Sequence, residues 1–355
     1  MAAIAELFET TTIIVPLVPN SNRTGDAPLA GDGVVIRAVP TPPGQGLGRK
    51  LLFPFWVLRH SPLLIREAWR TDAIHTPIPG DIGTIGMLLA LAFRKPLFVR
   101  YCGNWTNPRT VAERFWIWYM EQIAGGKNVM YATGGALALP SRRNQNIEWI
   151  FSTSLTASEI KNIGQVRSIP TNGHARLAIV CRQEGGKGTD VVINALRLLV
   201  DDFPGITLAV GGDGTSLQEY KTLATELGVA SRVTFHGRLD HGAVLQLLGA
   251  ADLFCFPSSS EGFPKVVHEA LSCGLPVIST RVSVLSSLIS SECGRLLEEA
   301  TGEALASAVR ECLSDSEGYE NMSRKALDIA KGYSLERWRD MIGFRLKSAW
   351  KTNLR

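Results

Sequence analysis

No run of about 18 apolar residues, the length that a bilayer-spanning helix needs, occurs in this sequence. The richest stretch, IGMLLALAF, covers only 85–93. A helical membrane span is therefore excluded. Cysteine is scarce, with six residues at 102, 181, 255, 273, 293 and 312, and none sits in a CxxC pair or at ligand spacing from a histidine. That spacing points to neither a disulfide framework nor a metal site of cysteine and histidine, and makes the reduced thiols of a cytoplasmic protein the expectation. No basic helix or aromatic-plus-basic strand of a recognised kind appears, so nucleic acid is not an expected partner. No GK[ST] closes a glycine-rich loop, which excludes a Walker A phosphate loop. The acidic opening MAAIAELFETT is not a secretory signal.

What is present is a core-forming composition with unevenly spread charge. The 355 residues are 45% apolar and 20% charged, which suits two ordinary domains. Residues 1–170 carry 17 lysines and arginines against 11 acids, and the remainder 20 against 22. A basic first half fits an anionic partner, membrane surface or substrate, and fits an ordinary solvated surface equally well.

From Ala175 onward short apolar strands alternate with helices. RLAIVCR, ITLAVGG, RVTFHG, DLFCFPS and PVIST read as strands. The helix in GTDVVINALRLLVDDFP is apolar at Val191, Val192, Ala195, Leu196 and Leu199; SLQEYKTLATELG ends on Gly228; HGAVLQLLGAA and 264–273 follow, the last stopped by Gly274. This alternation specifies a parallel, doubly wound α/β sheet. The first half alternates too, with strands TTIIVPL, GVVIRAV, DAIHTPI, PLFVRY and NVMYAT and helices around 50–70, 82–93 and 109–124. GQGLGRK at 44–50 follows PTPP rather than a strand and reads as a loop. VRSIPTNGHAR at 166–176 reads as a linker, giving domains 1–170 and 171–332 and a terminal amphipathic helix within 333–355 that packs back on the first. Two such domains face each other across a cleft, with ligands at the carboxyl ends of the strands.

Three segments bring chemistry to that cleft. In SSSEGFPKVVHEALSCGLPVIST (258–280), Pro264 suits the first helical position. Helical periodicity turns Val266, Val267, Ala270 and Leu271 to the sheet, leaves Glu269 at the stripe's margin beside Lys265, and sends His268 to the solvated edge. The helix start offers N–H groups to a phosphate, while Glu261 before it and Glu269 within it can accept from sugar hydroxyls. The plainer alternative is that Glu261 caps the helix and Glu269 pairs with Lys265. CRQEGGKGTD (181–190) places Arg182 after a strand and Lys187 in a glycine-rich loop, two cations suited to a diphosphate. VGGDGTS (210–216) adds a strand-to-helix glycine turn.

Together CRQEGGKG, AVGGDGT, RVTFHGRL, AADLFCFPSSSEGFPKVVHEALSCGLPVIST and CGRLLEE resemble, in that order over roughly 176–335, the retaining glycosyltransferases of family 4. The resemblance implies a GT-B architecture of two Rossmann-like domains, an acceptor-side first and a donor-binding second. It implies that Glu269 binds the ribose of a nucleotide-sugar and that Glu261 contacts the donor sugar. Arg182 and Lys187 neutralise the diphosphate, and backbone groups from Gly262, Phe263, Pro264 and Lys265 complete the cradle. Gly212 approaches the donor, and the base lies near His236–Arg238. No metal and no cofactor are expected, the nucleotide-sugar being a substrate.

The first domain resembles the family less closely. AAIAELFETTTIIVPL corresponds to the helix after the family's first glycine loop and to its second strand, so that first strand and loop have no counterpart here. Where many members carry a histidine after the strand PLFVRY, this sequence has RYCGNW; Arg100, Tyr101 and Asn104 are the acceptor-side candidates. His75 is another, or a structural histidine. Phe115, Trp116, Trp118 and Tyr119, with LLFPFWVLRH, suit core packing or a membrane interface. The expected function is transfer of a sugar from a nucleotide diphosphate to a saccharide or lipid-linked acceptor, in surface-polysaccharide assembly, with peripheral contact to an anionic membrane. A nucleotide-sugar-binding protein without turnover and a GT-B-fold epimerase are the alternatives.

Overall fold

The computed structural model describes residues 2–351 apart from 18–30, 45, 107, 109, 136–137 and 171–172. Thr171 and Asn172 of the linker read from the sequence lie outside the described residues. The first half contains α1 (Ala2–Ala5), β1 (Thr11–Leu17), β2 (Val34–Pro40), α2 (Gly46–Arg70), β3 (Ile74–Ile78), α3 (Asp81–Ala92), β4 (Leu97–Tyr101), α4 (Val111–Ile123), β5 (Asn128–Thr133), β6 (Ile147–Ile150) and α5 (Ala157–Ile163). The second half begins with β7 (Arg176–Val180), α6 (Thr189–Leu199), β8 (Thr207–Gly211), α7 (Leu217–Glu226), β9 (Val233–Gly237), α8 (His241–Ala250) and β10 (Leu253–Phe256). It continues through α9 (Lys265–Ser272), β11 (Val277–Thr280), α10 (Leu285–Leu288), β12 (Gly294–Leu297), α11 (Gly302–Cys312), α12 (Ser316–Ala330) and α13 (Leu335–Trp350).

The second half builds one six-stranded sheet in the order β12-β11-β10-β7-β8-β9, parallel throughout. Its central strands are buried on both faces, which explains their unbroken apolar runs. The order reverses between β7 and β10, so the loops leaving those two strands open the crevice where ligands bind.

The first half is split. β3-β4-β5-β6 form a four-stranded parallel sheet, and β1-β2 form a separate parallel pair. Between β1 and β3 lies a cavity of about 890 Å³, lined by consecutive residues Thr12–Pro16 of one strand and Ile74–Pro77 of the other. Side chains alternate along a strand, so consecutive lining residues mean that the strand edges face the cavity. The N–H of Ile74 bonds toward β4, at Pro96, and alternation turns His75 and Pro77 to the cavity. A proline on such an edge has no ladder bond to lose.

The chain passes between the halves twice, at adjacent places. Leu335 N donates to Leu155 O at 2.9 Å, and Phe151 meets Tyr333 edge-on at 5.0 Å. α5 packs on α9 of the second half, and α13 packs on β5 and α1 of the first. Arg167, in the segment read as a linker, is fastened instead to Cys273 O, Gly249 O and Ser323 Oγ of the second half. Gly46–Arg49, read as loop, form the first turn of α2.

Candidate active site

Loops at the carboxyl ends of β7 and β10 meet at the site. The loop 181–188 after β7 is held by Gln183, whose buried amide nitrogen donates to Gly211 O and Cys181 O at 2.9 and 3.1 Å. Its oxygen accepts from Thr189 Oγ1 at 2.7 Å. Gly188 then starts α6 from the left-handed region at φ 89°, packed on Pro257 O so closely that a Cβ would lie 2.6 Å away. The strand-to-helix turn of β8 needs Gly212 for the same reason: φ is 108° and a Cβ would sit 1.8 Å from Cys181 O.

This scaffold brings Lys187 to Glu261. The ammonium donates to Glu261 Oε1 at 2.7 Å and to Ser260 O at 3.2 Å, and Ser258 Oγ donates to the same Oε1 at 2.7 Å. Both charged side chains are largely shielded, at 19% and 12% exposed, so the pair is worth more than a surface ion pair. Arg182 stays 74% exposed and bonds Glu184 at 3.1 Å, so its guanidinium can swing to a ligand.

Among the described residues no side chain caps α9, whose N-cap is Pro264. Two readings from the sequence are corrected here. Pro264 precedes the helix rather than opening it, and Lys265 is the first helical residue. Glu261 does not cap it, because Lys187 and Ser258 hold its carboxylate.

Glu269 does not pair with Lys265. Its Oε1 accepts from Ser154 Oγ at 2.5 Å and lies 3.4 Å from His241 Nε2. Burial pushes the Glu269 carboxyl up, but the bonds from His241 and Ser154 outweigh it and hold the carboxyl below its ordinary value. The bond to Glu269 raises His241 in turn, against partial burial. His268 is another correction: it is fully buried, with Nε2 3.1 Å from Ala330 O and Nδ1 3.3 Å from Thr153 Oγ1. Helical periodicity describes packing on one sheet, whereas α9 is enclosed on a second side by α5, α12 and the 153–154 segment.

Across the cleft Asn104 Nδ2 reaches Ser260 Oγ at 3.2 Å, and Gly262 faces Gly103 and Thr133 of the first half. Residues 168–328 match the family model of Glycosyl transferases group 1, and residues 1–150 match the Glycosyl transferase 4-like domain. The chain belongs to glycosyltransferase family 4.

A glycogen synthase of Mycobacterium tuberculosis is 34% identical over 158 residues, 44% of this chain and 38% of that protein. A D-inositol 3-phosphate glycosyltransferase of Corynebacterium glutamicum is 32% identical over 165 residues, 44% and 40% respectively. The chain thus spans about two fifths of the length of the curated relatives it matches. Among solved structures, Anabaena HepE in complex with UDP and glucose superposes with a TM-score of 0.70 at 19% identity, over 89% of this chain and 87% of that one. The shared fold is GT-B.

The remaining candidates of this family 4 chain are scattered. His236 is exposed on β9, the edge strand of the six-stranded sheet. His75 lies inside β3, stacked on Phe98 at 4.5 Å and lining the cavity beside β1. Burial and the nearby Arg100 push it down to about 3, and its shielded Nε2 has no hydrogen-bond partner among the described residues. Tyr101 is core: its ring packs edge-on to Trp105 at 5.2 Å, and burial raises its hydroxyl to about 12. Arg100 stands over Trp338, 5.2 Å from the ring centre, and also lines the cavity beside β1. Sequence reasoning missed Ser154, His241, Ser258 and Gln183. Only Ser258 and Gln183 had a local signal, since both lie within the segments already singled out.

Proposed function

We propose that this chain is a retaining glycosyltransferase that moves a sugar from a nucleoside diphosphate to a saccharide or lipid-linked acceptor in surface-polysaccharide assembly. The observation that carries this reading is the cluster of Lys187, Glu261 and the uncapped start of α9 at the switch point of the sheet. Breaking the bond from the sugar's anomeric carbon to the diphosphate leaves negative charge on phosphate oxygens. Lys187 and the first N–H groups of α9, together with those of Gly262 and Phe263, offer preorganised positive charge there, and Arg182 can swing in to add its own. When the diphosphate takes Lys187, Glu261 is freed to accept from a sugar hydroxyl. Glu269, ionised and anchored by Ser154 and His241, accepts from the ribose through its second oxygen. Asn104, bonded across the cleft to Ser260, stands on the acceptor side.

Titration calorimetry with UDP, GDP and ADP tests the donor site; UDP comes first because HepE was solved with it. One nucleotide should bind selectively, and Arg182→Ala should weaken it by about tenfold or more, as expected for a charged hydrogen bond of about 1.5–3 kcal/mol. Glu261→Gln should keep the fold and lower turnover by about 10²–10³, the loss typical of one transition-state contact. No binding to any nucleotide would sink the assignment.

The split between β1 and β3 favours a second reading, a nucleotide-sugar-binding protein without turnover. It expects the same titration to succeed while no donor is consumed in the presence of acceptors. Formation of an isomerised donor without any acceptor would point instead to epimerase chemistry.

A further inference from the structure

α2 has two apolar sides. Trp56, Leu64 and Ala68 are buried, and Trp56 Nε1 donates to Pro40 O at 2.9 Å, so the helix is fixed to β2. On the opposite side Leu51, Phe55, Leu58, Ile65 and Trp69 stand exposed, at 73, 72, 73, 44 and 69%. With Pro62 they repeat at spacings of four and three residues along the whole helix. At 1.5 Å per residue the stripe is about 27 Å long from Leu51 to Trp69. Pro62 does not break it: Leu58 O, robbed of its helical donor, accepts from Ser61 Oγ at 2.9 Å.

Charge runs beside the stripe on one flank. At 100° per residue Arg66, Arg59 and Arg70 follow within about a quarter-turn of its edge, all exposed. Among the described residues none of the three has an acidic partner. The single acid of α2, Glu67, is turned inward at 15% exposed and faces Arg37 at 3.8 Å.

We propose that this face of α2 is a membrane-docking surface that lies flat in the headgroup layer of an anionic bilayer. Leu51, Phe55, Leu58 and Trp69 enter the acyl boundary, and Arg59, Arg66 and Arg70 bind lipid phosphates. The spacing alone also suits a helix of a second copy, but charge decides between them. Two such helices would bring arginines to a seam with no carboxylate to meet them, whereas an anionic bilayer supplies the opposite sign along the whole length. The inference deepens the proposed function by placing a lipid-linked acceptor within reach, but it is read without any transfer assay.

The test is flotation of the purified full chain with vesicles of phosphatidylcholine alone or equimolar with phosphatidylglycerol. The wild type should float with the anionic vesicles only, and added salt should weaken this. Arg59→Gln/Arg66→Gln/Arg70→Gln should lose binding on the order of a hundredfold, at about fivefold per arginine near the surface. Phe55→Ser/Leu58→Ser should also release the chain. Both variants alter exposed side chains and should keep the wild-type melting temperature and nucleotide binding. Unchanged flotation of the variants, or no flotation of the wild type, overturns the proposal. So does a wild-type dimer in sedimentation that Leu58→Ser splits. Flotation without sugar transfer would uphold the surface and count against the transferase reading.

Discussion

Glu269 and His241 show how a buried carboxylate is kept charged. Desolvation alone would raise the acid, yet the imidazole and the Ser154 hydroxyl reverse the sign. The consequences run in opposite pH directions. His241, ordinarily at 6.5, is raised, so its contribution is complete below 6.5 and fades as pH climbs through the raised value. Glu269, ordinarily at 4.5, is lowered, so its contribution is complete above 4.5 and fades as pH falls through the lowered value. Their pairing is thus strongest in the mildly acidic range between. His241→Gln should flatten the stability profile on the alkaline side: the wild-type advantage in melting temperature is largest near pH 6 and shrinks toward pH 9. Melting curves that run parallel across that range would show that the couple contributes nothing.

At the scale of elements, the loop 181–188 depends on one uncharged side chain. Gln183 satisfies Gly211 O, Cys181 O and Thr189 Oγ1, and both Gln183 and Thr189 are fully buried. Gln183→Met keeps the volume and removes the partners, at a cost of about 1–3 kcal/mol. It should lower the melting temperature and also weaken nucleotide binding, because Lys187 rides on the same loop. A stability loss with unchanged binding would show that the loop holds its shape without Gln183. The sequence displayed this region well, since parallel strands buried on both faces write continuous apolar runs and glycine turns mark their ends. β7, β8, β10 and β11 were legible for that reason, whereas β9, an edge strand with no buried residue, was legible from its place in the strand–helix alternation. β6 was not, being only four residues, Ile147–Ile150, paired on one side alone. The site's partners were legible only within a segment: Glu261 and Lys187 announced themselves, whereas Ser154 and His241 reach Glu269 from 115 and 28 positions away and carry no local signature. His268 misled for a related reason, because helical periodicity describes one packing surface and α9 has two.

The whole molecule is tied together by α13, which leaves the second half and closes on the first. Trp338, Ile342 and Leu346 are buried, Arg345 pairs with Glu148 at 2.8 Å, and Arg339 pairs with Glu6 at 2.5 Å. Trp350 Nε1 donates to Lys127 O at 2.9 Å. The apolar cluster beneath α13 takes residues from both halves, including Phe98, Tyr131, Phe254 and Phe263. Such a shared core should make the halves unfold together, since neither can lose its side of the cluster without exposing the other's. Trp338 is the residue to remove: its ring is 4% exposed and Arg100 stands over it at 5.2 Å. Trp338→Ala leaves a cavity and an uncovered guanidinium, and aromatic-to-alanine truncation of a core costs about 3–5 kcal/mol. Scanning calorimetry should find one wild-type transition and, in the variant, an earlier one for the first half ahead of the second. UDP should then raise only the later transition, because the groups proposed to hold its diphosphate all lie in the second half. A single transition in the variant, shifted but undivided, would mean that the contacts at 151–156 and 331–335 suffice to couple the halves without α13.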